Sequence, residues 1–148
     1  MIFDELEILY NEIDGDFSIK EFNARSSGLA NDEFEIALKR EHNDQAYFLF
    51  IFTRLEKRIQ DLFDILVNNK TSTLTDGKEL NSWRLVKKKR LELMDKVSYF
   101  AVPGGTDYNL IYDYKKKRDE VAHGDIASGV NISAVLIDMK KLYNDLDN

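Results

Sequence analysis

The chain contains no cysteine, which excludes disulfides, thiolate metal sites and cysteine nucleophiles outright. It has one proline and seven glycines in 148 residues. Helix breakers are therefore few, and no alternating apolar runs bounded by turn residues suggest strands. The longest apolar run, residues 46–52, has seven residues, whereas a membrane span needs about 20, so no membrane partner is expected. Histidine is scarce, at two residues. There is no His-x-x-x-His pair for zinc, and His42 sits in the polar stretch Arg40-Glu41-His42-Asn43-Asp44, which reads as exposed. Dinucleotide-binding, P-loop and serine-nucleophile motifs are absent, and Gly104-Gly105 alone is a turn. Asp61 and Asp64 would need distant ligands to hold a divalent ion and read as surface acids. No metal and no cofactor are expected. The opening Met1-Ile2-Phe3-Asp4-Glu5 is acidic where a secretory signal would be basic and apolar, so a cytoplasmic protein is expected.

What is present is helical periodicity, in a chain whose 43% apolar and 32% charged residues are ordinary for one globular domain spanning 1–148. A short helix is predicted over 3–11, an interruption at Gly15, and a second short helix over 18–26. Asn31-Asp32 caps a long helix reaching Val67, with Asn43 as a candidate break. Within it Phe48, Ile51, Phe52, Leu55, Ile59, Leu62, Phe63 and Leu66 form a core-facing stripe. Residues 68–78 read as a loop, and periodicity resumes over 79–100 through Leu80, Trp83, Val86, Met94 and Val97 until Pro103-Gly104-Gly105 stops it. A further helix starts at Thr106 or Asp107 and ends at Gly124. The last, from Ile132, carries Val135, Leu136, Met139, Leu142, Tyr143 and Leu146 on one face. The expected fold is an all-α, up-and-down bundle of about four principal helices with short additional N-terminal helices. Around Phe48, the run 46–52 is apolar on every side; Tyr47, Leu49 and Phe50 are left either for burial by the N-terminal helices or for a dimer interface.

A formal charge of −6 argues against passive coating of nucleic acid. The cations are nevertheless grouped. Arg84, Lys87, Lys88, Lys89 and Arg90 form one basic segment, and Lys115, Lys116, Lys117 and Arg118 form another. Solvated helix faces explain such runs, and so does a local cationic field for RNA if the two helices are neighbours.

The second basic segment leads into Arg118-Asp119-Glu120-Val121-Ala122-His123-Gly124, the one stretch that concentrates chemistry. Histidine can give or take a proton near neutrality, and arginine is permanently charged and shaped to grip phosphate. Together they are the parts needed for RNA cleavage without a metal. Ile111, Tyr114, Arg118 and Ala122 share one side of a helix, so Arg118 lies on an apolar stripe. Asp119 and His123 are four apart, so the carboxylate could orient the imidazole. Arg118 and His123 leave an ideal helix about 140° apart, so a complete site needs a distorted helix end or a second protomer. His123-Gly124 also reads as a plain C-terminal helix cap.

This motif resembles the Arg-polar-x-x-x-His signature of the HEPN superfamily, the higher eukaryote and prokaryote nucleotide-binding domains. A small apolar residue and a glycine often flank the histidine there, as Ala122 and Gly124 do here. The family most often has asparagine where this chain has Asp119. The resemblance implies a helical bundle and a homodimer in which two copies of the motif face each other. It also implies an endoribonuclease of the toxin or antiviral, phage-defence type, with a possible antitoxin or regulatory protein as partner. Arg118, Asp119 and His123 would be catalytic, with Arg118, Lys115, Lys117 and Lys88 as contacts to the RNA substrate. The products would be 2',3'-cyclic phosphate and 5'-hydroxyl ends. One subgroup pairs with an antitoxin that modifies a tyrosine two places after the histidine; here that place is Asp125. The alternative is a non-catalytic helical module that binds a nucleotide or a partner protein through Arg118.

Overall fold

The computed structural model describes residues 2–124 and 129–146. The fold is an all-α helical bundle of six helices, with no strand among the described residues. They are α1 (Ile2–Ser26), α2 (Ala30–Thr73), α3 (Gly77–Lys88), α4 (Leu93–Val97), α5 (Thr106–Ala122) and α6 (Ile132–Asp145). None is long and apolar enough to cross a membrane. Packing groups the chain into two compact units, one of Met1–Thr53 with Tyr114–Lys141 and the other of Arg54–Asp113 with Leu142–Asn148.

In the first unit the core is made by Phe3, Leu6 and Tyr10 of α1, Phe48, Ile51 and Phe52 of α2, and Ile132, Val135, Leu136 and Met139 of α6, all buried. Tyr10 meets the edge of Tyr47 at 5.3 Å between ring centroids, so α1 covers that side of the all-apolar run, while Phe50 stays half exposed at 49%. In the second unit Leu55, Ile59, Phe63 and Val67 of α2 are buried, with Val97, Ile111, Leu142 and Leu146. The α2 stripe expected from spacing is therefore the buried face in each unit, with Leu62 and Leu66 at its margin.

Three boundaries differ from the sequence expectation, each for a local reason. Helix α1 is continuous through Gly15, although a helical glycine costs about 1 kcal/mol relative to alanine. Arg40 of α2 grips both sides of that position, with Nε and Nη2 on Asp14 at 2.6 and 2.8 Å and Nη1 on Glu21 at 3.1 Å. Residues seven apart share a helix face, so one guanidinium holds both halves in register. Helix α2 does not break at Asn43 and runs on through Thr73. There the hydroxyls of Thr71, Ser72 and Thr73 donate back to carbonyls of residues 67–69, so these side chains are satisfied within the helix they would otherwise compete with. The expected helix over 79–100 is split instead into α3 and α4. Four consecutive cations, Lys87 to Arg90, repel one another at the break, and the Asp95 carboxylate accepts from the Glu92 backbone N–H at 3.1 Å to start α4 anew.

The corner between α1 and α2 closes on Gly28 at φ 71°, where Leu29 N donates to Ala24 O at 3.0 Å and Gly28 N to Arg25 O at 3.1 Å. This is the double bond of a Schellman cap, which requires the left-handed residue.

Tyr10 also donates its hydroxyl to Asp44 at 2.9 Å, and burial pushes the Asp44 carboxyl above its ordinary range. A carboxyl raised in the fold holds its proton more tightly folded than unfolded. Its contribution favours the fold at low pH and is lost as pH rises through the folded value. Asp44→Asn keeps an acceptor for Tyr10 while removing the buried charge. It is expected to raise the thermal midpoint at neutral pH by up to a few degrees, with no gain near pH 3. Thermal unfolding followed by circular dichroism at the two pH values checks this, and a midpoint lowered at neutral pH but not near pH 3 would show that the charge supports the fold.

Candidate functional site

The Arg118–His123 motif occupies the last turn and a half of α5. His123 is the residue at which the helix stops, and Gly124 follows at φ 81°, with its N–H on Val121 O at 3.1 Å. The stop needs a residue free to turn left-handed, and glycine supplies it. Cap and motif are thus the same residues, and the cap fixes where the imidazole sits.

Asp119 is the hub. Its carboxylate takes Lys115 Nζ on Oδ2 at 2.9 Å and Arg118 Nη1 on Oδ1 at 2.9 Å. The Lys115 hydrogen bond, with the nearby Arg118 and His123, holds the Asp119 carboxyl below the usual carboxylate range. Asp119 does not orient the imidazole through its carboxylate, as the four-residue spacing had suggested. The Asp119 main-chain carbonyl does so, meeting His123 Nδ1 at 2.6 Å. A carbonyl can only accept, so this contact assigns the proton of the neutral ring to Nδ1 and leaves Nε2 as the lone-pair nitrogen. His123 is an exposed residue, at a helix end that a substrate could approach.

Arg118 is half-buried, and its guanidinium carbon lies 5.7 Å from the centroid of the Phe52 ring. That contact explains how a cation sits on the apolar stripe of α5: it lies against an aromatic face and keeps a carboxylate at its other edge. One turn earlier, Tyr114 packs on Phe48 at 6.1 Å and donates its hydroxyl to Asp138 of α6 at 2.5 Å. Burial, with Asp138 as second cause, pushes the Tyr114 hydroxyl above its ordinary range, so it stays a donor at all physiological pH values. Tyr114 and Asp138 thereby fix the rotation of α5 about its axis within the first unit.

No family model, curated protein or solved structure matches this chain.

The structure brings Arg118, Asp119, His123 and Lys115 together at one helix end. Lys117 is half-buried on the same helix. Lys88 is exposed at the end of α3 and belongs to the second unit. Asp125 lies outside the described residues. His42 is exposed, as its polar surroundings suggested, and Asp61 and Asp64 are engaged by Lys57 and Gln60 of their own helix. Sequence reasoning missed Phe52 as the platform under Arg118 and Tyr114 with Asp138 as the brace. The Lys115–Asp119 pair was visible at i, i+4 spacing; the other two join distant segments.

A group whose folded pKa is depressed supports the fold above its unfolded value, about 3.8 for aspartate, and loses that support as pH falls through the folded value. Asp119→Asn should therefore lower stability in urea at neutral pH by less than about 1 kcal/mol, as befits a solvent-screened pair, with no difference near pH 2. A loss persisting at acid pH would locate the effect elsewhere. Imidazole 15N shifts should show the Nδ1-protonated tautomer for neutral His123, and an Nε2–H signature would remove the Asp119 carbonyl as its anchor.

Proposed function

We propose that the chain is a metal-independent endoribonuclease of the HEPN type, acting as a toxin or antiviral effector. The observation that carries this reading is the exposed His123 ring, held by the Asp119 carbonyl so that Nε2 is the proton acceptor, four residues after the Asp119 carboxylate that holds Arg118. His123 Nε2 would take the proton of a ribose 2'-hydroxyl as its oxygen attacks the adjacent phosphorus. The bond from phosphorus to the 5'-oxygen breaks, leaving a 2',3'-cyclic phosphate and, once the departing oxygen is protonated, a 5'-hydroxyl. Arg118 would hold the phosphate and stabilise the charge growing on its oxygens. Arg118 and His123 diverge on one helix, and the departing oxygen lies opposite the attacking one. A second copy, as the resemblance implies, would supply the proton for it from its own histidine. Lys115 and Lys117 would add cationic contacts along the strand.

The ring tether is main chain, so it is present whether residue 119 is aspartate or the asparagine usual in the family. The nuclease reading therefore expects Asp119→Asn to keep cleaving RNA.

A non-catalytic module binding an anionic nucleotide or partner through Arg118 is favoured by one observation. Arg118 is already held by Asp119 and Phe52, a posture suited to static recognition.

Cleavage of a labelled RNA in EDTA by the purified protein and its variants separates the two. The nuclease reading expects cyclic phosphate ends and a loss of 10²- to 10⁴-fold in His123→Ala, roughly the share of one general acid–base group. It also expects a marked loss in Arg118→Lys, which keeps the charge but not the fork, and growth arrest on expression that His123→Ala relieves. Wild-type inactivity on several RNAs, with ligand binding abolished by Arg118→Ala, would establish the binding module instead.

A further inference from the structure

The second unit contains a cleft of about 350 Å3 in which α2 faces the break between α3 and α4. Its walls carry Lys87, Lys89, Arg90 and Lys96, against the single carboxylate of Asp64. That carboxylate accepts from Gln60 Nε2 at 2.8 Å. Two of the cations are positioned by neutral amides: Lys96 Nζ donates to Gln60 Oε1, and Lys87 Nζ donates to Asn68 Oδ1 at 3.0 Å. An amide carbonyl orients an ammonium group without cancelling its charge. Lys57, Lys115 and Lys140 are by contrast held by acids, Lys57 by Asp61, Lys115 by Asp119 and Lys140 by Asp4 and Glu7. Four cations gathered with so little counter-charge repel one another and make a local positive potential on an otherwise acidic protein. The half-charge at the C-terminus of α3 is too small to balance them.

The floor is of a different character. Phe63 and Val67 are buried there, and Val86 and Leu91 are half-buried. Tyr99 meets Phe63 edge-on at 5.3 Å and Trp83 at a tilt at 5.8 Å, which ties the floor to α3. An apolar base with a cationic rim, at the small end of the roughly 300–1,000 Å3 usual for ligand sites, fits a compact anion with an apolar or aromatic part. It does not fit an extended strand. A strand tracking α3 would need Arg84 and Lys88, which are exposed and line no part of the cleft.

We propose that this cleft binds a small phosphate ester with an aromatic moiety, the chemistry of a nucleoside diphosphate, with its phosphates on Lys87, Lys89, Arg90 and Lys96 and its ring over Phe63 and Val67. The site is separate from the α5 motif and stands whether or not the chain cleaves RNA.

Isothermal titration of the full chain with ADP, adenosine and a single-stranded RNA octamer at low ionic strength tests it. Lys89→Ala with Arg90→Ala removes two exposed cations from the rim, and Lys78→Ala with Arg84→Ala removes the same charge from α3 outside it. Circular dichroism verifies that each double variant is folded. ADP should bind, and more tightly than adenosine by at least tenfold. The rim variant should weaken ADP by roughly tenfold or more, as expected for two charged hydrogen bonds, while the other variant stays within about twofold. Absence of ADP binding, equal losses in the two variants, equal affinity for adenosine, or tight binding confined to the RNA would each overturn the proposal.

Discussion

The buried face of α2 is the constraint on which the other elements depend. From Phe48 to Val67 this helix keeps an apolar seam, and the seam supplies partners for side chains far away in sequence. In the first unit Tyr10 of α1 reaches Tyr47 beside the seam, Tyr114 of α5 reaches Phe48, and Arg118 lies over Phe52. In the second unit Tyr99 reaches Phe63, and Arg58 stacks on Tyr143 at 4.8 Å. An isolated helix of ordinary composition would be marginal in water; this one is held because other segments bury large rings along it. The polar ties then select register. Arg40 sets α1 along α2, Tyr114 sets α5 against α6 through Asp138, and Lys140 of α6 reaches Asp4 and Glu7 of α1 at 2.7 Å.

Much of this is legible in the sequence. The stripes from Phe48 to Phe63 and from Ile132 to Leu146 were readable because 3.6-residue periodicity is a local property of the chain. The stop at Gly124 was readable for a similar reason, since few residues tolerate the left-handed turn. What was not legible depended on distant partners or on competition between weak local signals. Gly15 was expected to interrupt a helix that Arg40, 25 residues later in the chain, holds together. The hydroxyl-rich run from Thr71 to Thr73 looked like a loop because such side chains compete for backbone groups, yet here they bond back to carbonyls one turn earlier and α2 runs through them. The split between α3 and α4 was hidden inside an acceptable apolar spacing, and only the four adjacent cations marked it.

The same division holds at the candidate site. The residue types and their spacing pointed to Arg118, Asp119 and His123, and the structure sets them at one helix end with Lys115. The division of labour within Asp119 was not readable, because a sequence displays side chains and says nothing of which carbonyl a ring will meet. Nor could it reveal Phe52, whose ring serves the core on one side and a guanidinium on the other. The basic run before Leu91 carried a second ambiguity. Spacing treats Lys87 to Arg90 as interchangeable charges, but the end of α3 sorts them, turning Lys87, Lys89 and Arg90 into the cleft and Lys88 away from it.

The tether between Asp119 O and His123 Nδ1 has an implication for how this helix end can vary. No side-chain replacement at residue 119 removes a peptide oxygen, so substitution scanning there is blind to that contact. Its integrity lies in the count of residues between the two positions and in the helical pitch that spans them. A single insertion or deletion within 120–122 would rotate the imidazole by about 100° and carry it off the carbonyl, although every named side chain would still be present. The segment is therefore tolerant of spelling and intolerant of length.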